Sequence, residues 1–514
     1  MRETCAGSNC NDIECDNVIK CNHDIDSDYL MFNLDYNSKN MKTCLEVVRN
    51  YIIEHNLLIV GGMSIDFALR LKGEFLYSDY QIPDYDVIDP ENIKHANSIA
   101  STLCAMGMKN ISIVPAVHKT TVRVQLMGYT VFDSTFVPQY MYDKIPYMMY
   151  GDYKFIDPVY QKIDQYTSLA LLWNVTGPTF NVINRFEKDI KRKDLLNNHY
   201  KFDYKPDDRN NMESTISKKT INMNLDTIVS QKAKNLLEFE GTYSLDLDFI
   251  LHGKLAYCML YNEFKKIVAE NGLVVRNDII ECNYSIKNDI ISFDYYGEGV
   301  ELINYGDGVE EKKIFNSLMS EYEVNKFVKS KKSAVSTSMP SRTIYKSEDE
   351  TVTAMDMTGN MLSINSVKTE KGDVFISNYN YLLAYFLFSY YFCEEKQKQY
   401  YAQYYLSTLE IINIVQEQTT IKNVIDNCFF YSLNTLGVKY WMDENLLFYM
   451  QNYDSVKETR KGLSTVPPKN YISNPDCEIK KHFSEEDKKK STFYFDSIVE
   501  VSETNFLKEL EEIL

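Results

Sequence analysis

A short apolar segment that runs directly into two glycines is the feature that most restricts how this chain can fold. Leu57–Val60 is an uninterrupted apolar run that stops at Gly61 and Gly62. The segment Ser64–Lys72 then carries apolar side chains at helical spacing, and Gly73 follows as a helix-ending residue. The pattern predicts a buried strand, a tight turn without side chains, and a helix.

Such a turn is a place where a phosphate group can approach the backbone closely. Without side chains at the turn, backbone N–H groups and the N-terminus of the helix are accessible to an anion. Gly61, Gly62 and Ser64 are therefore candidate nucleotide-binding residues, and Ser64 adds a hydroxyl group. Taken alone, a glycine pair after an apolar run is more often only a turn.

Three aspartates form the second candidate feature. Asp84 and Asp86 lie in a short β-compatible segment, where residues i and i+2 project from one face about 6 to 7 Å apart. Asp133 lies in another β-forming run, Val131–Thr135, and a lone buried carboxylate is costly unless a cation is bound. Three carboxylates on adjacent strands predict a site for two divalent ions that supports phosphoryl transfer. Taken separately, the acid pair also suits a solvated loop or a helix cap, and Asp133 suits an edge-strand charge.

The order of the predicted elements indicates an α+β fold. The pattern predicts a helix from about Met41, the apolar strand and its helix, the acidic strand, a helix over Glu91–Met106, and a hairpin of Thr121–Leu126 with Tyr129–Val137. This order describes a small mixed sheet with helices packed against it.

Basic residues further along the chain are candidates for triphosphate or RNA contacts. The segment Asp164–Leu195 is predicted to be helical with a basic face, and the candidates are Lys154, Arg185, Lys188 and Arg192. A solvated basic face explains the helical members equally well. Because the net charge is −18, any RNA path must be a local basic track.

Two further groups of basic residues are open to more than one interpretation. Lys326–Lys346 reads as a Ser-rich, poorly periodic loop that either grips RNA or is a plain linker. His118, Lys119 and Arg123 lie near the predicted hairpin, where they either face the cleft or have no part in the site, and we assign them no role.

The second half of the chain contains a faint echo of the first. Phe249–Ala256 resembles the earlier segment Leu58–Ala68, with one glycine instead of two and no acidic pair. We therefore predict a degenerate copy that cannot perform the same chemistry. The predicted division is a polar tail at 1–28, a catalytic domain at 29–195, a connector at 196–226, a second domain at 227–465, and a polar segment at 466–514.

Together the motifs resemble a known superfamily. Val60–Ser64, Asp84–Val87 and Phe132–Asp133 are similar to the glycine-serine turn, acid pair and third acid of DNA-polymerase-β-type nucleotidyltransferases. The surrounding sequence resembles the poly(A) polymerase catalytic subunits of poxviruses and, more closely, of giant viruses of the mimivirus and megavirus type. The resemblance covers about residues 55–195. One departure is that 21 residues separate Gly62 from Asp84, which an inserted loop over Glu74–Pro83 would accommodate.

The resemblance implies a function and a set of ligands. Asp84, Asp86 and Asp133 would bind the catalytic metal ions, Mg²⁺ or Mn²⁺, while Gly62 and Ser64 would contact the phosphates of ATP. The acceptor would be an RNA 3′ end, to which adenylate is added without a template. The second domain would be an inactive relative of the first, and a homodimer or a separate processivity subunit would complete the enzyme.

Composition restricts the cellular setting. No run reaches the about 18 apolar residues that a membrane span needs, and the first twenty residues lack the apolar region of a secretory signal. The 11 cysteines are predicted to be reduced, which suits the cytoplasm, a viral factory or a virion. Near the N-terminus no CxxC pair occurs, so a polar tail is favoured over a zinc site formed by Cys5, Cys10, Cys15, Cys21 and His23.

Two other functions remain open from the sequence. The first keeps the chemistry and changes the nucleotide or the acceptor, for example to UTP, a tRNA or a small molecule. The second is a non-catalytic scaffold that binds RNA or protein. The intact set of three aspartates argues against a scaffold, because an inactive protein has no reason to crowd three like charges.

Overall fold

The computed structural model forms two compact units. The first contains the described residues within Met1–Gln165, Thr176–Lys201 and Arg460–Phe495, and the second those within Tyr166–Val175, Phe202–Thr459 and Asp496–Leu514. The residues that the structure describes are 39–77, 84–109, 111–115, 121–126, 128–137, 139–170, 179–204, 218–230, 249–272, 279–304, 328–333, 342–346, 351–356, 364–393, 395–417 and 480–481.

The first unit contains the predicted helices and strands in their predicted order, with one further strand, Ile111–Pro115, before the hairpin. Its elements are α1 (Lys39–Glu54), β1 (Leu58–Ile59), α2 (Gly61–Arg70), β2 (Tyr85–Asp89), α3 (Asn92–Ala105), β3 (Ile111–Pro115), β4 (Thr121–Leu126), β5 (Tyr129–Phe136), α4 (Gln139–Tyr142), β6 (Tyr147–Tyr150), β7 (Tyr153–Ile156), α5 (Pro158–Ala170) and α6 (Thr179–His199). The α+β prediction is confirmed, as are the strand-glycine-helix segment and the hairpin.

A mixed sheet carries the first unit. The strand order is β3-β4-β5-β2-β1-β7-β6, and a short strand at Lys480–Lys481 extends it beside β3. β2 runs parallel to β5 and antiparallel to β1, while β7 runs parallel to β1. The central position of β2 and β1 therefore places the acidic strand directly beside the strand that leads into the glycine turn.

The core of this unit follows from the periodicity of the sequence. On α1 the apolar positions at three- and four-residue steps are buried, and these are Met41, Cys44, Leu45, Val48 and Ile52. On β2 the burial alternates, with Tyr85 and Val87 in the same apolar cluster as the helix. Because successive side chains of a strand point to opposite faces and Tyr85 and Val87 face the core, Asp84 and Asp86 project from the other face.

The second unit has more strands than the first. Its elements are β8 (Lys218–Asn224), α7 (Leu225–Ser230), β9 (Phe249–His252), α8 (Gly253–Asn271), β10 (Asn283–Lys287), β11 (Ile290–Tyr296), β12 (Val300–Asn304), β13 (Val328–Ser333), β14 (Arg342–Lys346), β15 (Thr351–Asp356), β16 (Ile364–Thr369), β17 (Gly372–Ser377), α9 (Tyr379–Phe392) and α10 (Glu395–Glu417). A three-stranded sheet has the order β10-β11-β8.

The larger sheet of the second unit repeats the topology of the first. Its order, β13-β14-β15-β12-β9-β17-β16, matches β3-β4-β5-β2-β1-β7-β6 strand for strand, with the same parallel and antiparallel neighbours. Val60 and His252 both have extended backbone before a helix that starts at a glycine with positive φ, Gly61 at 66° and Gly253 at 52°. The echo in the sequence is thus a structural repeat.

Aromatic side chains fill the helical layer of the second unit. Almost every residue of α9 is buried, so this helix has no polar face. Tyr257 of α8 meets Tyr404 of α10 edge to face at 5.0 Å between ring centroids, and Phe386 of α9 stacks on Tyr404 at 5.1 Å. This packing accommodates an almost entirely apolar and aromatic helix in the core of the unit.

Three of the sequence predictions differ from the structure. The helical segment predicted over Asp164–Leu195 begins earlier than predicted, with α5 at Pro158, and also includes α6; residues 171–178 lie outside the described part. The predicted connector contains strand β8, because Ile221 and Met223 alternate into the core of the second unit. The predicted loop over Lys326–Lys346 contains the paired strands β13 and β14, whose register shifts between Lys329 and Lys331 and so obscures the period.

Several predictions fall outside the residues that the structure describes. These are the cysteine-bearing N-terminal tail, His118, Lys119, the rest of the loop after Tyr77, and most of the C-terminal segment. Among the described helices, none is both long and apolar enough to cross a membrane.

Candidate active site

The three predicted acids converge in the first unit. Asp84 directly precedes β2, Asp86 lies within β2, and Asp133 is the register partner of Asp86 on the parallel strand β5. One ligand oxygen from each lies within 4.8 Å of the other two. Within the described part of the chain, this is the one group of three or more His, Cys, Asp or Glu side chains close enough to share an ion.

The electrostatics of the cluster fit a divalent cation. Burial raises the pKa of Asp86 well above its usual value, and the charges of Asp84 and Asp133 raise it further. The nearby cations Arg123 and Arg192 act on Asp86 in the opposite direction. Hard carboxylate oxygens at this spacing are the donors that Mg²⁺ and Mn²⁺ prefer, so the residues present suit such an ion.

Arg123 forms a bidentate salt bridge with the third acid, Asp133. It is the cross-strand partner of Asp133 on β4. Its Nη2 lies 2.6 Å from Asp133 Oδ2, and its Nε lies 2.9 Å from Oδ1. Because a bidentate arginine pair fixes the plane of a carboxylate, Arg123 sets the orientation of Asp133.

The glycine turn lies against the acidic strand. The Val60 N–H donates to the Asp86 carbonyl oxygen at 2.9 Å, and Gly61 then turns the chain into α2. A Cβ atom at Gly61 would lie 2.7 Å from Asp86 Oδ2. The turn therefore needs glycine both for its backbone angle and for the space that the acid occupies.

Gln161 of α5 holds the turn from the other side. Its Oε1 accepts the Gly61 N–H at 3.0 Å and lies 3.0 Å from the Ser64 hydroxyl oxygen. Ser64 is almost fully buried, and its hydroxyl also lies 3.2 Å from the Gly61 carbonyl oxygen. The phosphate contact predicted for Ser64 stays a prediction, and the structure adds a role for its hydroxyl in shaping the turn.

Tyr77 and Arg192 meet directly over the second glycine. The Arg192 Nη2 donates to the Tyr77 hydroxyl at 2.8 Å. A Cβ atom at Gly62 would collide with that hydroxyl and would lie 2.9 Å from the Arg192 Nη2. Partial burial raises the pKa of Tyr77 to about 12, so the phenol stays protonated at neutral pH.

The other basic candidates have different surroundings. The Lys154 ammonium lies 4.4 Å from the ring centroid of Tyr147 and 5.1 Å from that of Tyr142, and burial lowers its pKa. Arg185 and Lys188 lie on α6 with Arg192; Lys188 is half-buried, and the structure describes the backbone of Arg185 but not its side chain. The nucleotide-binding roles of Lys154, Arg185 and Lys188 stay predictions.

Sequence reasoning missed Gln161 and Tyr77 and gave Arg123 no role. Nothing local marks Gln161, which is 100 residues from the glycine that it contacts. Arg123 carries a partial signal, because it stands on the strand that pairs with Asp133. A register shift between Val124 and Gln125 decides that the two are opposite each other, and a regular hairpin would have paired Arg123 with another residue.

The chain resembles known viral proteins in fold and in sequence. The crystal structure of the Megavirus polyadenylate synthase has a similar fold, with a TM-score of 0.51 at 15% identity, covering 74% of this chain and 70% of that one. This likeness shows that the two proteins share a fold. In sequence, residues 46–173 match the family of poly(A) polymerase catalytic subunits. The chain is therefore similar in sequence to poly(A) polymerase catalytic subunits and in fold to the Megavirus polyadenylate synthase.

Individual viral relatives extend the match beyond that region. A protein named as a poly(A) polymerase catalytic subunit in African swine fever virus (isolate Pig/Kenya/KEN-50/1950) is 25% identical over 397 residues, or 75% of this chain and 74% of the relative. Its counterpart in the Badajoz 1971 strain is 33% identical, but over only 32% of this chain and 34% of that relative. The Acanthamoeba polyphaga mimivirus protein of that name is 21% identical over 77% of this chain and 66% of its own length.

Proposed function

We propose that the chain transfers AMP from ATP to the 3′ end of RNA without a template. The observation that carries the proposal is the meeting of Asp84, Asp86 and Asp133 beside the Gly61 turn. An acid cluster alone binds cations, and a glycine turn at a helix start alone binds anions. The two side by side suit a substrate that is a metal-bound polyphosphate.

The three acids have distinct surroundings and therefore distinct tasks. Asp86 lies against the Gly61 turn, and a ligand oxygen of it is within 4.8 Å of ligand oxygens from both other acids, so it can share an ion with either. Arg123 holds Asp133 in one orientation, which limits its motion as a ligand. Ions bound there, two Mg²⁺ or Mn²⁺, would activate the attacking 3′ hydroxyl and neutralise the departing pyrophosphate.

The turn and α6 supply groups for the triphosphate. The first N–H groups of α2 carry the positive end of the helix dipole, which favours a phosphate. Arg192 adds a guanidinium at Gly62, where planar N–H donors match the spacing of phosphate oxygens. Phosphoryl transfer depends mainly on such positioning and on charge stabilisation, and the described residues provide both.

The proposal also includes an RNA strand as the acceptor and a partner subunit. An RNA strand needs basic contacts that a chain of net charge −18 must supply locally, and Lys154, Arg185 and Lys188 remain candidates for them. The name "catalytic subunit" carried by the relatives favours a partner, either a second copy or a separate processivity subunit. A cytoplasmic site of action, in host cytoplasm, viral factory or virion, stays a prediction from the sequence.

A primer-extension experiment tests the proposed function. Wild-type protein is incubated with an RNA primer, Mg²⁺ or Mn²⁺, and each of the four ribonucleoside triphosphates separately. We expect stepwise extension of the primer with ATP. Asp86→Asn should lower the rate by about 10³-fold or more, because the loss of a metal ligand removes several kcal/mol of transition-state stabilisation at about 1.4 kcal/mol per tenfold.

The matched control is Asp152→Asn, at an exposed turn between β6 and β7. This variant makes the same chemical change and should extend the primer at the wild-type rate. Extension with UTP or with every nucleotide would favour the alternative of another base preference. If wild type extends no RNA primer with either ion, the proposal fails and the scaffold alternative gains.

A further inference from the structure

Leu76 and Tyr77, which follow α2 in the sequence, are folded back onto that helix. Asp66 of α2 accepts the backbone N–H groups of Leu76 at 2.7 Å and Tyr77 at 2.9 Å through its Oδ1. Arg70 donates from Nη2 to the Tyr77 carbonyl oxygen at 2.8 Å and is itself paired with Asp66 at 2.6 Å. Both sides of the Tyr77 backbone are therefore tied to one helix by charge-assisted hydrogen bonds.

This attachment aims the Tyr77 side chain at the start of the same helix. Its hydroxyl lies over Gly62, so close that any side chain there would collide with it. Tyr77 follows the whole of α2 in the sequence, yet its side chain lies against the first turn of that helix. The segment that lengthens the spacing between Gly62 and Asp84 delivers one phenol to the turn.

The phenol in turn holds Arg192. The guanidinium donates to the Tyr77 hydroxyl at 2.8 Å and lies 4.0 Å from Asp189 on the preceding turn of α6. The Arg192 side chain is only 13% exposed, so it is largely restrained in this position. Ordering a long arginine before a ligand arrives reduces the entropy lost on binding.

We propose that Tyr77 is a positioning residue that holds the Arg192 guanidinium at the glycine turn for the triphosphate of the incoming nucleotide. The inference deepens the proposed function and rests on it for the identity of the substrate. Tyr77 acts through Arg192, and the contact that results is with phosphate oxygens. The base of the nucleotide has no part in it.

The decisive substitution is Tyr77→Phe, which keeps the ring and removes the hydroxyl. We expect KM for ATP to rise about tenfold with kcat within about twofold of wild type, because a hydrogen bond to a charged group is lost in binding. The KM for any other triphosphate that the enzyme accepts should rise by the same factor. The matched control is Tyr153→Phe. It removes a hydroxyl that accepts a hydrogen bond from the Arg49 Nε–H, at 2.9 Å, elsewhere in the first unit.

A double-mutant cycle separates positioning from a general structural effect. Arg192→Lys keeps the charge and loses the planar donors. If Tyr77 acts through Arg192, adding Tyr77→Phe to Arg192→Lys should raise KM by less than twofold more. Fully additive effects, a KM that Tyr77→Phe leaves unchanged or lowers, or a loss confined to kcat would each overturn the inference.

Equilibrium binding keeps this test independent of turnover. The Kd of a non-hydrolysable ATP analogue with Mg²⁺ should rise about tenfold in Tyr77→Phe and stay unchanged in Tyr153→Phe. If wild type binds the analogue but extends no RNA, the proposed function fails while Tyr77 is still tested. If Tyr77→Phe does not fold, the same Kd measured for Arg192→Lys decides, since an unchanged Kd there would overturn the inference.

Discussion

At the scale of single residues, Gly61 is the position where backbone geometry and chemistry constrain each other most. Its φ of 66° lies in the left-handed region, which costs other residues about 1 to 2 kcal/mol. It also faces Asp86, with 2.7 Å between a hypothetical Cβ and the carboxylate oxygen. A side chain here would strain the backbone and displace an acid at once.

Gly61→Ala should therefore lose both stability and activity. We expect the free energy of unfolding to fall by about 1 to 2 kcal/mol from backbone strain, and kcat to fall about 10²-fold as the Asp86 carboxylate moves. The control is Gly107→Ala, where φ is 82° and nothing lies within 4 Å of a Cβ. It should cost similar stability, measured by denaturant unfolding, and leave primer extension unchanged. An equal loss of activity in both variants would contradict this account.

At the scale of elements, the β4–β5 hairpin and helix α5 each position part of the site. The hairpin does so through its strand register, and the helix through a side chain that contacts the glycine turn. The register shift in the hairpin brings Arg123 opposite Asp133. Helix α5 reaches the glycine turn through Gln161, and on its next residue the Lys162 ammonium donates to the Tyr200 carbonyl oxygen at 2.6 Å. The same short helix thus supports the turn and contacts the residue just after α6.

Lys162 gives a prediction about pH. Burial lowers its pKa from 10.5 to about 8, so between those values the unfolded chain binds more protons than the folded one. The buried ammonium therefore lowers the free energy of unfolding by its full amount below about pH 8. This loss of stability disappears as the pH rises towards 10.5. Relative to Lys162→Met, wild type should gain about 2 kcal/mol in the free energy of unfolding between pH 7 and 9.5.

Denaturant unfolding at a series of pH values measures that difference. Lys144→Met, at an exposed position, is the control and should run parallel to wild type. A wild-type curve that falls relative to Lys162→Met as the pH rises would show that the sign is wrong.

At the scale of the whole molecule, two copies of one topology have different electrostatics. By register, Glu301 occupies the position of Asp86, and Gly299 and Thr353 occupy those of Asp84 and Asp133. Glu301 faces Gly253 as Asp86 faces Gly61. The Lys254 ammonium then lies 3.1 Å from Glu301 Oε1 and 2.9 Å from the Gly299 carbonyl oxygen. The second copy thus balances its single acid with its own lysine.

Breaking that ion pair should destabilise the second unit. Both side chains are only 1% exposed, so Lys254→Met leaves a buried carboxylate without its cation and should cost about 3 to 5 kcal/mol in denaturant unfolding. Lys254→Met combined with Glu301→Leu should recover most of that loss, because no buried charge remains. A double variant that is no more stable than the single one would contradict this interpretation.

Features that depend on neighbouring residues could be predicted without a structure. Apolar period, glycines and alternation predicted the strand, turn and helix at Gly61, the hairpin, and two acids on one face of β2, because these patterns are local. The family resemblance and the repeat were also visible in the sequence. The loop over Lys326–Lys346 was wrong, because a register shift between its strands obscures the period, and the helix predicted from Asp164 begins earlier, at Pro158.

Contacts between groups that are distant in the sequence depend on the folded chain. The approach of Asp133 to Asp86, the grip of Arg123, the support from Gln161 and the return of Tyr77 to Gly62 all join residues from different elements. Such contacts depend on strand register and on packing, which no local pattern specifies. The raised pKa of Asp86 has the same origin, since it arises from burial and from charges that only the folded chain brings together.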